Sequence, residues 1–164
     1  MLRLALAALA ALATLPAHAQ TIALHGASQF NDDHAYTRAL IRFEALVKRY
    51  YGKPIDFVLH KNGELGLDKQ YFENMALGTA VDYAIVSPAH MSTFSRAAPF
   101  MDAPFVFRDL AHLSKVLDAN LLQPIADEIA QKAGVMLIGY AGGGTRNLFV
   151  NKPVRNLAEI KGLR

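Results

Sequence analysis

Arg146 closes the run Tyr140-Ala141-Gly142-Gly143-Gly144-Thr145-Arg146, and a guanidinium in a glycine-softened crossing suits a carboxylate. Its planar fork makes two parallel charge-assisted hydrogen bonds, which fix orientation as well as affinity. Val135 to Tyr140 reads as a buried strand and Asn147 to Val150 as the start of another, so the arginine stands between two rigid segments where backbone can approach a ligand. A solvated arginine after a loop is the competing reading of the same residues. Two serines and a phenylalanine join it as candidates. Ser87 ends an apolar run that reads as a strand, and Ser28 lies in the loop after another, the edge where open α/β sheets hold ligands. Either hydroxyl could bond a ligand oxygen, although a satisfied loop serine is the simpler role for Ser28. Phe105 is most simply a core residue, with the wall of an apolar cleft as its alternative.

Other chemistries fail on spacing. Gly139 and Gly144 stand as far apart as the two glycines of a P-loop, yet Thr145-Arg146 follows where Lys-Ser/Thr is needed, and the segment leads into a strand. Counted from Gly142 and Gly144, the third glycine of a dinucleotide fingerprint would fall at Asn147. The six histidines contain no paired metal-ligand spacing, and zero cysteines exclude thiolate chemistry and disulfides. No metal or cofactor is expected. There is no G-x-S-x-G, Ser87-Pro88 lacks the glycines of a nucleophile elbow, and His112 falls at a helix start, where capping or packing suits it better than base catalysis.

These candidates must be positioned by alternating strands and helices. Thr21 to Leu24 is a short strand, and Asn31-Asp32-Asp33 offers an N-cap for a helix from about His34 to Tyr50 with Leu40, Phe43, Leu46 and Val47 on one face. Gly52-Lys53-Pro54 ends it, Ile55 to His60 alternates as a strand, and Asn62-Gly63 is a turn. Leu67 to Leu77 is a helix capped by Gly78, and Val81 to Val86 is a third strand. Strand, helix, strand, helix, strand implies a parallel sheet. Spaced prolines forbid a helix over Ala97 to Phe107, where Phe100, Phe105 and Phe107 read as core. Asp109 caps a helix from Leu110 to about Leu117, and Leu121 to Ala133 is a further helix closed by Gly134.

Met1-Leu2-Arg3, the apolar run Leu4 to Leu15 and Pro16-Ala17-His18-Ala19 have the zones of a secretory signal peptide with cleavage after Ala19. The run is too short for a bilayer, and no later segment is long enough to span one, so the mature chain is expected to be exported, periplasmic and not membrane-embedded. A formal charge of +3 on 164 residues, without a basic run, gives nucleic-acid binding little support.

Several segments, in order, resemble one family. Leu65-Gly66, Gly78 and Asp82-Tyr83-Ala84-Ile85-Val86-Ser87-Pro88 form one set; Ala103-Pro104-Phe105-Val106-Phe107-Arg108-Asp109 with His112 and Val116-Leu117-Asp118 form a second. Gly144-Thr145-Arg146, Asn151-Lys152-Pro153 and Asn156 to Arg164 form a third. Together they resemble the solute-binding proteins of the tripartite ATP-independent periplasmic (TRAP) transporters. The resemblance implies an α/β, periplasmic-binding-protein-like fold of two lobes that close on a ligand. It also implies capture of an organic acid for delivery to membrane permease subunits, without enzymatic turnover. In that pattern Arg146 is the supporting arginine, and the principal one follows the Lys161-Gly162-Leu163-Arg164 run. The chain is thus expected to be truncated: a signal peptide over 1–19, lobe one over 20–140 as a βαβαβ unit, and a hinge crossing with the start of lobe two over 141–164. An exported α/β enzyme of hydrolase-like type, using Ser87 or His112, is the alternative.

Overall fold

The computed structural model describes residues 21–142, 147 and 149–163. Strands β1 (Ile22–Ala27), β2 (Ile55–His60) and β3 (Tyr83–Ala84) form a parallel sheet in the order β2-β1-β3. Ile22 pairs with Ile55 through to Ala27 with His60, and Gly26 and Ala27 pair with Tyr83 and Ala84. Helices α1 (Ala35–Tyr51) and α2 (Asp68–Leu77) make the two crossovers. The expected βαβαβ unit is present.

Alternation along β1 divides the two faces. Gly26 faces the ring of Tyr83, which packs with Phe57 and with Phe43 of α1. Ala27 faces the other way, into a cluster with Tyr71 of α2 and Val81. Beyond it lies the main core, where Phe72 of α2 and Ile129 are wholly buried among Met91, Ala98, Met101, Leu122 and Ala133. The larger of these, Phe72, Ile129, Met91, Met101 and Leu122, each contribute about 1.5–3 kcal/mol on burial. Helices α3 (Leu110–Asp118) and α4 (Gln123–Ala133) follow; α4 supplies Ala126, Ile129 and Ala133 as buried residues.

Most helix ends obey local chemistry. Gly52, Gly78 and Gly134 take the left-handed conformation that ends α1, α2 and α4, and the Asp109 carboxylate accepts from His112 N to start α3. The cap of α1 differs from expectation. His34 holds that place, its Nδ1 accepting from Tyr36 N at 3.2 Å. Asn31 accepts instead from Asp33 N, and Asp32 pairs with Lys61 at 2.9 Å; both are drawn off into the turn, and the helix starts at Ala35, with His34 at the cap.

Other expectations are corrected. The third strand is two paired residues rather than Val81 to Val86, because β1 ends at Ala27, opposite Ala84, and leaves Ile85 and Val86 no strand to pair with before the 3-10 turn Pro88–Met91. Residues 135–140 are not a strand: Val135 and Leu137 lean on the main core, whereas Met136 and Ile138 are 75% and 70% exposed. The period-two alternation is real, but no ladder is formed there, and alternation alone does not make a strand. Asn147 and Val150 likewise form no ladder, and Phe149 is 91% exposed. Phe105 is not core. It is 98% exposed with φ at 64°, because the prolines that forbid a helix leave a turn whose tip points outward. Phe100 is also exposed, at 54%.

Candidate functional site

In this sheet β2 and β3 flank β1, so the chain moves off in opposite directions on its two sides, and the crevice beyond the strand ends is where such folds bind ligands. Ser28 stands at the end of β1 and Ser87 just after β3.

Ser28 is 4% exposed. Its Oγ lies 2.7 Å from Thr37 Oγ1 and accepts from Phe30 N at 3.2 Å. Thr37 gives its own hydrogen to Phe30 O at 3.3 Å, so Ser28 must donate to Thr37. Its backbone is also engaged, with Ser28 N on His60 O and Gly63 N on Ser28 O. The serine locks the β1 loop to the start of α1 and to the turn after β2.

Ser87 is held differently. Its Oγ donates to Asp102 Oδ2 at 2.6 Å and accepts from Ala89 N, while its N–H points at Asp68 Oδ2 from 3.4 Å. Asp68 also pairs with His90 Nε2 at 3.2 Å. Ser87 thus joins two carboxylates near the strand end, through its backbone N–H to Asp68 in the first turn of α2, where the helix dipole favours an anion, and through its hydroxyl to Asp102 at the end of a 3-10 turn, Ala98–Asp102. The lone pairs that these carboxylates have left are acceptors for ligand hydroxyls. Asp68, Asp102 and His90 were not singled out from the sequence. The signal available was an acid two residues after Leu65-Gly66 at a helix start; the Asp102 contact is made across the fold.

The hydrolase alternative finds no catalytic pair here. Ser87 donates its one hydrogen to a carboxylate, and His112 Nδ1 accepts from Arg108 N while its ring packs on Phe107. Arg146 lies outside the described residues. Glu159, a carboxylate further along the same segment, accepts from Arg155 N and Asn156 Nδ2. A cavity of about 350 Å³ opens between α2 and the 88–94 segment, lined by Lys69, Phe72, Leu77, His90 and Phe94 among others; it shares only His90 with the Ser87 network. Among the described residues no three metal-binding side chains gather, and no helix is long and apolar enough to cross a membrane.

A parallel sheet with a helix on each face and polar groups at its carboxyl edge is an α/β lobe of the doubly wound class. The chain belongs to the bacterial extracellular solute-binding protein family 7, whose model matches residues 26–164, the family of TRAP solute-binding proteins. It is 44% identical over 153 residues to a solute-binding protein of Sulfitobacter sp. (strain NAS-14.1), covering 93% of this chain and 46% of that one. It is 26% identical over 161 residues to the 2,3-diketo-L-gulonate-binding periplasmic protein of Escherichia coli K12, covering 97% of this chain and 48% of that one. Among solved structures, a TRAP periplasmic solute-binding protein from Sulfitobacter sp. NAS-14.1 with bound α-D-taluronate superposes with a TM-score of 0.78 at 44% identity, over 84% of this chain and 44% of that one. The chain spans about half the length of the relatives it matches.

Proposed function

We propose that this chain provides the first lobe of a receptor that captures a sugar acid of the hexuronate class outside the cytoplasm and hands it to a membrane permease. Residues 1–19 serve as the export signal, cleaved after Ala19 to leave a periplasmic protein. Residues 20–140 form the lobe, and 141–164 carry the hinge crossing and the start of lobe two. The 44% identical structure with bound α-D-taluronate is the observation that carries the reading. A TRAP solute-binding protein from Xanthobacter autotrophicus, 28% identical with a TM-score of 0.57, has β-D-galacturonate bound and agrees in class.

Such a ligand has two chemically distinct ends. Its carboxylate matches the fork of Arg146, and its hydroxyls match the oxygens of Asp68 and Asp102 beside Ser87. Phe105, exposed three residues after Asp102, has an apolar ring free to meet a sugar face. Ser28 contributes by holding the β1 loop and has a lone pair left for a ligand hydroxyl.

NMR titration of the leaderless chain with D-galacturonate and D-taluronate, against D-galactose, D-talose and succinate, tests this. The two uronates should shift amides near Ser28 and Ser87 saturably, and the neutral hexoses should not. Equal response to hexose and hexuronate would remove the carboxylate, and so Arg146, from recognition. A preference for succinate would replace a sugar acid by a dicarboxylate.

A further inference from the structure

His25 Nδ1 and His60 Nε2 lie 3.2 Å apart, with the ring planes at 16° and the centroids separated by 5.5 Å. That separation is what a 3.2 Å contact leaves when two imidazoles lie end to end in nearly one plane. The contact is therefore a head-on N–H to N hydrogen bond. A metal ion does not fit on that line, since metal–nitrogen bonds of about 2 Å on each side need roughly 4 Å between the nitrogens. On its far side, His60 Nδ1 meets Glu64 Oε1 at 3.2 Å.

The carboxylate only accepts, so His60 Nδ1 carries a hydrogen. With both rings neutral, His60 Nε2 is then bare and His25 Nδ1–H donates to it. One added proton is accommodated: it sits on His60 Nε2, facing Glu64 through the opposite nitrogen, and His25 shifts its own hydrogen from Nδ1 to Nε2 so as to accept. A second proton puts N–H on both facing nitrogens, and the contact must open.

We propose that His25, His60 and Glu64 form a proton-operated latch on the turn after β2, closed with none or one added proton and opened by two. The turn it holds reaches the ligand edge directly, since Asn62 N donates to Phe30 O and Gly63 N to Ser28 O. Opening would loosen the loop that carries Ser28. The other ionisable groups around the pair are in place to bias it. Asp82, beside β3, accepts from His25 N at 2.7 Å, and Asp56 on β2 pairs with Ala23, two residues before His25 on the same face. Lys61 is already paired with Asp32. From α2, Tyr71 donates to Gly66 O and Asp68 pairs with His90.

The test is a pair of measurements on the isotope-labelled chain between about pH 8 and pH 5, where histidine titrates while most carboxylates stay ionised. Long-range ¹H–¹⁵N imidazole spectra report which nitrogen carries hydrogen, and amide exchange reports the Gly63 N to Ser28 O bond, corrected for intrinsic rates. At the alkaline end His60 Nδ1 and His25 Nδ1 should be protonated and His60 Nε2 bare. Gly63 protection should survive the first proton and fall about five- to tenfold with the second, the loss of one hydrogen bond. His60→Gln, which cannot take up a proton, should abolish the acid-induced fall. Finding both facing nitrogens bare at the alkaline end would overturn the latch, as would undiminished Gly63 protection with both rings doubly protonated. An unchanged acid response in His60→Gln would do the same, and if that variant does not fold the wild-type spectra decide alone.

Discussion

The phenol ring of Tyr83 fills the place where a side chain on Gly26 would begin, its Cζ lying 2.2 Å from a Cβ built there. The ring cannot easily retreat. Phe43 and Phe57 pack on it at 5.4 and 5.7 Å between centroids, and its hydroxyl donates to Glu44 Oε1 at 2.7 Å. Gly26→Ala should therefore destabilise the lobe by about 1–3 kcal/mol, the cost of overpacking a filled core. Urea unfolding measures it, and an unchanged midpoint would mean that the aromatic cluster is loose.

Tyr83 should also make stability fall in alkali. Burial first, then the hydrogen bond to Glu44 and the charges of Glu44 and Asp82, hold its phenol far above the ordinary tyrosine value. A raised folded value favours the neutral form, so the contribution is fully present below about pH 10, where an unfolded tyrosine ionises, and is lost as the pH rises beyond it. Tyr83→Phe should flatten this alkaline slope. Denaturant midpoints for both proteins from neutral pH to about pH 11 check it, and parallel slopes would assign the alkaline loss to other groups.

Arg146→Lys should weaken hexuronate binding by about 1.5–3 kcal/mol, roughly ten- to a hundredfold, because lysine keeps the charge and loses the fork. Arg146→Ala should cost at least as much, and neither should change the ligand-free melting temperature much. The measurement belongs in a form of the receptor with both lobes. One lobe supplies only one wall and little desolvation, so this chain alone should bind at about millimolar strength. Unchanged affinity in the variants with a lowered melting point would make Arg146 a structural residue.

Two phenylalanines separate packing from recognition. Phe72 is fully buried and Phe105 is 98% exposed. Phe72→Ala should cost about 3–5 kcal/mol of stability, whereas Phe105→Ala should stay within about 0.5 kcal/mol and show its effect, if it lines the cleft, in ligand affinity. Thermal or urea unfolding of both, with a hexuronate titration of the second, distinguishes the roles. A large stability loss in Phe105→Ala would place it back in the core.

What the sequence determined by itself is local or cumulative. Gly78 and Gly134 end helices and Asp109 starts one, because a left-handed glycine or a capping carboxylate acts on backbone within a few residues of itself. The family is legible for a related reason: short motifs kept in order over most of the chain accumulate specificity without any knowledge of contacts. What only the tertiary structure decided depends on partners far along the chain. Val135 to Tyr140 has the alternation of a strand and no ladder, since a strand exists only when another lies beside it. Ser28 is taken up by Thr37, Ser87 by Asp102, fifteen residues on, and His25 meets His60 across 35. No spacing rule announces these pairs; the parallel sheet brings the strand ends to one edge, and there polar groups find partners that only the fold places within reach, under the full demand of burial at Ser28 and Thr37.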